Sequence, residues 1–330
     1  MGLHNKINIS VIICTRDRSE SLKDVLDCFL KQETNGQFDY EIIVVDNNSK
    51  DATKNTVEAS MPEFNGKLRY LFEPNQGKPY ALNAGIKASS GEIIIFTDDD
   101  CILDKNHLNI VFESFKNDAS GIGLMGGKIS PHWGACSQPK WLDKFYPKLR
   151  LEEIEWSGKD KPAWLNEFFL GPLGGLNYGE DFIKIGVSDP KLFYGANMVI
   201  KREVLEKHGL FDTNKILGQD SEMSMRLLKA GVPGLYNPHL NVFHRITLAR
   251  GTPAHYYRWY YTRGKHEFNK AGQVKKIFYP LGIPHYLIKD SLGRFIKSFF
   301  VPSLYQKILY RSQASYNLGQ MLEIAKRNIT

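Results

Sequence analysis

Residues 7–15 form a short run of apolar, β-branched side chains, and 19–32 follow with Leu22, Val25, Leu26, Phe29 and Leu30 at helical spacing. The alternation then repeats. Residues 40–46 are a continuous Ile and Val run, the pattern of a strand covered on both faces. Residues 51–60 predict a helix, 68–72 a strand, 78–88 a helix and 92–97 a further buried strand. Repeated βα units predict an α/β fold built on a doubly wound, mostly parallel, Rossmann-like sheet. Ligands of such sheets lie outside the carboxyl ends of the strands, so chemistry is expected just after each apolar run.

From 121 to 190 the pattern loosens into Gly, Pro, Trp and Lys-rich sequence without a clear period, as in a long active-site insertion. Regularity returns with 193–200 as a strand, 202–208 as a short helix, 221–229 as a helix opened by Asp220, and 235–244 as an extended segment ending in His244 and Arg245. Beyond this, aromatic and basic residues interleave at 255–265, 275–279 and 294–300 on expected amphipathic helices. The chain therefore divides into an α/β domain, 1–250, and a helical basic extension, 251–330.

Composition narrows the class. With 42% hydrophobic and 24% charged residues the chain is globular, which excludes disordered, collagenous and disulfide-scaffold readings. Cys14, Cys28, Cys101 and Cys136 show no CxxC or metal-ligand spacing, so they are expected buried and inert in a reducing compartment. The polar start and the lack of an 18-residue apolar run predict neither a secretory leader nor a spanning helix, hence a cytoplasmic protein. Charge is uneven: residues 251–330 hold 13 basic and 3 acidic groups, +10, against 30 basic and 33 acidic, −3, in the rest of the +7 chain. Such an extension attracts anionic lipid, nucleic acid or a phosphorylated carrier; it equally suits a helical lid packed on the catalytic domain.

The strand ends are polar throughout: Cys14-Thr15-Arg16-Asp17, Asp46-Asn47-Asn48-Ser49, Glu73 to Lys78, and Asp98-Asp99-Asp100. Singly, each suits a turn or a helix N-cap. Together on one rim they point to a site. The sharpest is 93–100, a buried strand that ends in three adjacent carboxylates, whose repulsion a divalent cation best relieves. Asp98 and Asp100 have the spacing to reach one Mg²⁺ or Mn²⁺, completed by substrate phosphates and water.

With these residues in order, the chain resembles the family 2 glycosyltransferases of GT-A fold over residues 7 to 250. The resemblance rests on Ser10-Val11-Ile12-Ile13-Cys14-Thr15-Arg16; on Glu41 to Ser49 with Asp51; on Asn75-Gln76-Gly77-Lys78 with Asn83 and Gly85; on Asp98-Asp99-Asp100 as a form of the DxD motif; on Gly195-Ala196-Asn197; and on Gly218-Gln219-Asp220-Ser221-Glu222 before Arg226-Leu227. It implies that Asp46 meets the pyrimidine edge of a donor nucleotide, with Thr15 and Arg16 along base and ribose. Lys78 is implied near the diphosphate, and Asp98 and Asp100 as the ribose and metal pair. Asp220 resembles the catalytic base of inverting members, although the family often has Glu-Asp where this chain has Gln219-Asp220. Similar enzymes use a His near His244 for the ion or diphosphate; a lone His is equally a satisfied core residue. Arg245 and Arg250 are candidates for diphosphate contacts. Asp99, Asn197 and Gln219 are candidates for donor-sugar or acceptor contacts. Trp133, Trp141, Trp156 and Trp164 suit sugar stacking or plain burial.

The expected function is metal-dependent, inverting transfer of a sugar from a nucleotide-sugar, a UDP-sugar in this reading, to a saccharide or polyprenyl-linked saccharide. The expected cofactor is Mn²⁺ or Mg²⁺, and the expected setting is the cytoplasm or the inner face of the plasma membrane, with an anionic membrane surface rather than nucleic acid as partner. Two other classes stay open. A sugar nucleotidyltransferase also needs clustered carboxylates, but it would open with a Gly-rich basic loop where this chain has Thr15 to Ser19. A non-catalytic nucleotide- or nucleic-acid-binding module would use the basic extension and be indifferent to Asp220.

Overall fold

At the centre of the sheet β1 (Ile7–Thr15) runs parallel to β2 (Asp39–Asp46) on one side and β4 (Ile93–Asp98) on the other, and β3 (Leu68–Phe72) continues the parallel set beyond β2. The computed structural model describes residues 7–118, 120–134, 139, 170–215, 218–271, 283–301 and 304–329. The β1, β2 and β4 runs lack alternation because both faces of their strands are buried. Between them run α1 (Ser19–Leu30), α2 (Thr53–Ser60) and α3 (Lys78–Ala88). Helix α1 buries Leu22, Val25, Leu26 and Phe29, four of the five positions its spacing singles out. Thr15 pairs with Asp46 and Cys14 with Asp98, so the three strands end level and their polar termini share one rim.

Beyond β4 the sheet departs from the parallel expectation. The chain adds β5 (Cys101–Leu103), α4 (His107–Lys116), β6 (Leu124–His132), β7 (Ile183–Ile185), β8 (Met198–Lys201), α5 (Arg202–His208), α6 (Gln219–Lys229) and β9 (Gly234–Arg245). Strand order is β3-β2-β1-β4-β8-β6-β9-β5, with β7 on β9. Strand β8 is antiparallel to β4 and β6, and β9 is antiparallel to β5 and β7, so the sheet is mixed. Strand β6 lies inside the stretch whose sequence shows no period. Its pattern is hidden by Gly126 and Gly127: a Cβ on the first would lie 2.2 Å from the Phe193 ring, on the second 1.8 Å from the Leu240 carbonyl oxygen. The strand expected at 193–200 is shorter, because a 3₁₀ turn at Gly195–Asn197 precedes β8.

The chain forms two units, residues 1–130 with 175–245 and residues 131–174 with 246–330. The first contains the sheet. In the second, α7 (Pro253–Ala271), α8 (His285–Phe300) and α9 (Leu304–Ile329) carry the basic extension as helices. Its core gathers Trp133, Leu173, Ile246, Tyr256, Tyr260 and Ile308. Helices α7 and α9 touch main chain to main chain: a Cβ on Gly264 would lie 2.1 Å from the Tyr316 carbonyl oxygen, and one on Gly319 2.1 Å from that of Tyr261. Trp141, Trp156, Trp164, Cys136 and the basic run 275–279 lie outside the described residues. Cys101 is buried and Cys14 and Cys28 are half-buried, all three free thiols.

Candidate active site

Asp98 closes β4 and forms an ion pair with Lys78. Lys78 is aimed by the loop before it: Gly77, at φ 136, donates its N–H to Asn47 Oδ1 (2.8 Å), while Asn47 Nδ2 donates to the carbonyls of Glu73 (3.2 Å) and Asn75 (2.6 Å). Only glycine readily adopts that φ, so the turn that presents Lys78 depends on it. Burial opposes the ammonium charge, but the Asp98 carboxylate, with Asp220 adding to it, outweighs burial and raises the Lys78 pKa. Asp220 sits in the first turn of α6, which begins after Gly218 at φ 71. Its Oδ2 accepts from the Gly195 N–H at 3.1 Å and its Oδ1 from the Ser221 N–H at 2.7 Å. Gly195 is held against β4 because Thr97 Oγ1 donates to the Ala196 carbonyl (3.0 Å), and a Cβ on Gly195 would be 3.7 Å from Lys78 Nζ. Asp98, Lys78, Gly195 and Asp220 thus form one contiguous wall.

Next to it, Asp99 and Asp100 turn inward. Arg18 Nη1 donates to Asp99 Oδ1 at 3.1 Å and to Asp100 Oδ2 at 2.5 Å. His244 Nε2 lies 3.2 Å from Asp100 Oδ1, placed there because His244 pairs with Cys101 in the β5/β9 ladder. The Arg245 N–H donates to the Asp100 carbonyl (2.9 Å), fastening the end of β9 to the same turn. Burial pushes the Asp99 carboxyl up to about 6 against the pull of Arg18. Burial acts on Asp100 too, yet His244 and Arg18 overcome it and hold that carboxyl well below the usual range.

At the β1 and β2 ends, Asp46 is 3% exposed. Its Oδ1 accepts from the Ser49 N–H and its Oδ2 from the Tyr70 hydroxyl, both at 2.8 Å. Thr15 is buried facing Asp99, and Arg16 is exposed, 3.6 Å from Asp17. Asp17, at φ 52, stitches the two loops: its N–H donates to Ser49 Oγ (2.9 Å) and its Oδ1 accepts from the Lys50 N–H (2.6 Å). Gln219 is buried beside Asp220. Asn197 is buried and gives its amide hydrogens to the carbonyls of Lys128 (2.9 Å) and Leu240 (2.8 Å), tying β6 to β9. Arg245 turns to Asp24 on α1, at 2.5 Å, instead of facing the rim. Trp133 packs in the core of the helical unit.

Three residues with evident work at the rim were not singled out by sequence pattern: Arg18, Asn47 and Tyr70. Arg18 carried a weak signal, a second basic residue in the turn after β1. Asn47 carried only its place in the polar end of β2, and Tyr70 carried none, since their partners lie on neighbouring elements. Among the described residues no three His, Cys, Asp or Glu side chains form a ready-made cation cage. The donors present are the Asp100 carboxylate and the His244 imidazole, with Asp98 two residues away, a set that leaves coordination places open and suits a hard divalent cation shared with substrate oxygens.

Residues 10–166 match the family described as Glycosyl transferase family 2. Over these residues, just under half of the chain, the protein is similar to the family 2 glycosyltransferases. The match takes in Thr15, Asp46, Lys78 and the three aspartates; Asp220 and His244 lie beyond it. A glucosyl-dolichyl phosphate glucuronosyltransferase of Haloferax volcanii is 22% identical over 254 residues, 73% of this chain and 70% of that protein. Glycosyltransferase AglE of the same organism is 29% identical over 226 residues, 68% of this chain and 62% of the relative. The chain thus spans about two thirds of the length of these curated relatives. Among solved structures, the mannosyltransferase PcManGT from Pyrobaculum calidifontis, in complex with GDP-Man and Mn²⁺, superposes with a TM-score of 0.57 at 18% identity, covering 99% of this chain and 88% of that one. The chain is therefore a glycosyltransferase with a GT-A fold.

Proposed function

We propose that this glycosyltransferase moves a sugar, with inversion, from a nucleotide-diphosphate donor to a saccharide or polyprenyl-linked saccharide acceptor, with Asp220 as general base. The observation that carries the reading is the contiguous wall from Asp98 through Lys78 and Gly195 to Asp220, which brings a candidate base to the rim where the strands end. Two main-chain N–H groups hold the Asp220 carboxylate, one on each oxygen. Each oxygen keeps a further acceptor position for the proton of an acceptor hydroxyl. A base fixed in this way abstracts that proton as the hydroxyl attacks the anomeric carbon opposite the leaving diphosphate.

The donor reading is a UDP-sugar. Asp46 would accept from a uracil N–H, Thr15 and Arg16 would line base and ribose, and Asp98 would meet the ribose. Lys78 complements the diphosphate charge. Asp99, Asn197 and Gln219 remain candidates for shaping the sugar and acceptor pockets. Asp100 and His244 would hold a divalent cation, Mn²⁺ or Mg²⁺, which when bound offsets the charge gathering on the departing nucleotide; the similar mannosyltransferase holds Mn²⁺ with GDP-Man. A lipid-linked acceptor is supported by the relative named for glucosyl-dolichyl phosphate.

The test is nucleotide release from a panel of UDP-, GDP- and dTDP-sugars with Mn²⁺ or Mg²⁺, paired with calorimetric titration of the free diphosphates. Asp220→Asn is expected to bind nucleotide as the parent does while losing transfer by about 10²–10⁴-fold. Parent-like transfer by Asp220→Asn would remove the base from that position, and failure of every diphosphate to bind with metal present would remove the donor reading.

A further inference from the structure

Helix α8 carries two opposed faces. One packs: Leu287 and Ser298 are buried, Ser291 Oγ donates to the Ala314 carbonyl of α9 (3.1 Å), and Arg294 pairs with Asp290 on α8 (2.6 Å). The other is apolar and largely exposed, with the Arg311 guanidinium of α9 over the Phe295 and Phe299 rings at 5.9 and 5.0 Å. Ile288 (46% exposed), Leu292 (57%), Phe295 (46%), Ile296 (48%) and Phe299 (58%) follow one another at helical spacing, and Phe300 at the end of the helix is 80% exposed. At roughly half of the ~150–250 Å² that a large side chain offers, such a stripe comes to several hundred Å², at or above the largest apolar patch of an ordinary monomer.

We propose that this face of α8 lies in the interface of an anionic lipid bilayer and attaches the protein to it peripherally. Charge decides the occupant. Residues 283–329 contain 7 basic and 2 acidic side chains, net +5, within the +10 of the extension. An apolar stripe on a basic helical unit matches the negative surface of a leaflet, where each Lys or Arg near the surface contributes about 1 kcal/mol. No described helix is long and apolar enough to cross a membrane. Of the two basic aromatic runs among the described residues, the one at 255–265 has Tyr256 and Tyr260 buried in the helical core, whereas the one at 294–300 lies on the exposed face of α8. The inference does not depend on which sugar is transferred or to what.

The test is flotation of the full chain with phosphatidylcholine vesicles, with and without phosphatidylglycerol, at low and high salt. The partner variant is Ile288→Ser/Leu292→Ser/Ile296→Ser, three exposed positions whose change leaves the α8/α9 contact intact; circular dichroism and light scattering check fold and oligomeric state. Expected are recovery that needs phosphatidylglycerol and at least about a tenfold loss in the variant, which retains its fold. Three results would overturn the proposal: no lipid-dependent recovery at low salt, equal recovery of the variant, or a dimer that the variant dissociates without any binding to vesicles. A misfolded variant is replaced by Phe300→Ser alone, whose expected loss is smaller but of the same sign.

Discussion

His107 is the first residue of α4, and its ring is 1% exposed, against the main chain of Asn241. Burial pushes its pKa down from 6.5 to about 4. The unfolded chain binds this proton near 6.5 and the native state only near 4, so the stability is whole above 6.5 and is lost as pH falls toward 4. The loss reaches about 3 kcal/mol at the low end. Urea midpoints at neutral pH and at pH 4.5 measure it. In His107→Leu the part of the decline due to this ring disappears; an unchanged slope would assign the acid lability elsewhere. Lys78 supplies a second test. Removing the ammonium in Lys78→Ala leaves Asp98 as an unpaired, partly buried carboxylate at the place where diphosphate is proposed to bind. Affinity for nucleotide diphosphate is expected to fall about tenfold or more, and Lys78→Arg, which keeps the positive charge beside Asp98, to recover part of it. Calorimetry reads both variants.

Elements whose signal is local were legible. The spans expected for β1, β3, α3 and α5 are those observed, because continuous apolar runs, a Lys-Pro start and a Gly stop are written within each segment. Strand β6 was not, since Gly126 and Gly127 remove the side chains that would mark it, for a reason that lies on Phe193 and Leu240. The site divides in the same way. Asp46, Lys78, the three aspartates and Asp220 follow apolar runs or open helices and could be named; that Gly195 joins Lys78 to Asp220, and that Arg18 spans Asp99 and Asp100, depends on strand register and on a 3₁₀ turn far away in sequence. In helices, glycine reads only as a cost of about 1 kcal/mol, and two positions separate that cost from its use. Gly319 on α9 faces the Tyr261 carbonyl, whereas Gly293 on α8 has nothing within 4 Å of a Cβ. Gly319→Ala is expected to destabilise by roughly 1–3 kcal/mol, and Gly293→Ala to stabilise by about 0.5–1 kcal/mol. Thermal melts of the two should move in opposite directions; a common direction would mean that the contact between α7 and α9 does not depend on bare main chain.

At the scale of the molecule, the rim takes side chains from β1, β2, β4, the loop before α3, the start of α6 and the end of β9. A ligand there touches elements from Thr15 to His244, so its binding energy acts on the whole first unit instead of one loop. A nucleotide diphosphate held only by the native state stabilises by about 2.7 kcal/mol at a concentration 100 times its Kd. For a unit of this size that is a rise in Tm of roughly 5–10 °C. If Asp100 and His244 hold the cation, most of the rise requires Mn²⁺ or Mg²⁺, because the charges of nucleotide and carboxylates otherwise oppose each other. In Asp100→Ala/His244→Ala the starting Tm shifts for structural reasons, as Arg18 loses one of its two carboxylates. The informative quantity is therefore the increment that metal adds to the nucleotide shift within each protein. Scanning fluorimetry of parent and variant with UDP, with metal, and with both is expected to give a large joint increment in the parent and none in the variant. Equal increments would place the cation on other residues of the rim and leave Asp100 as the anchor of Arg18 and His244.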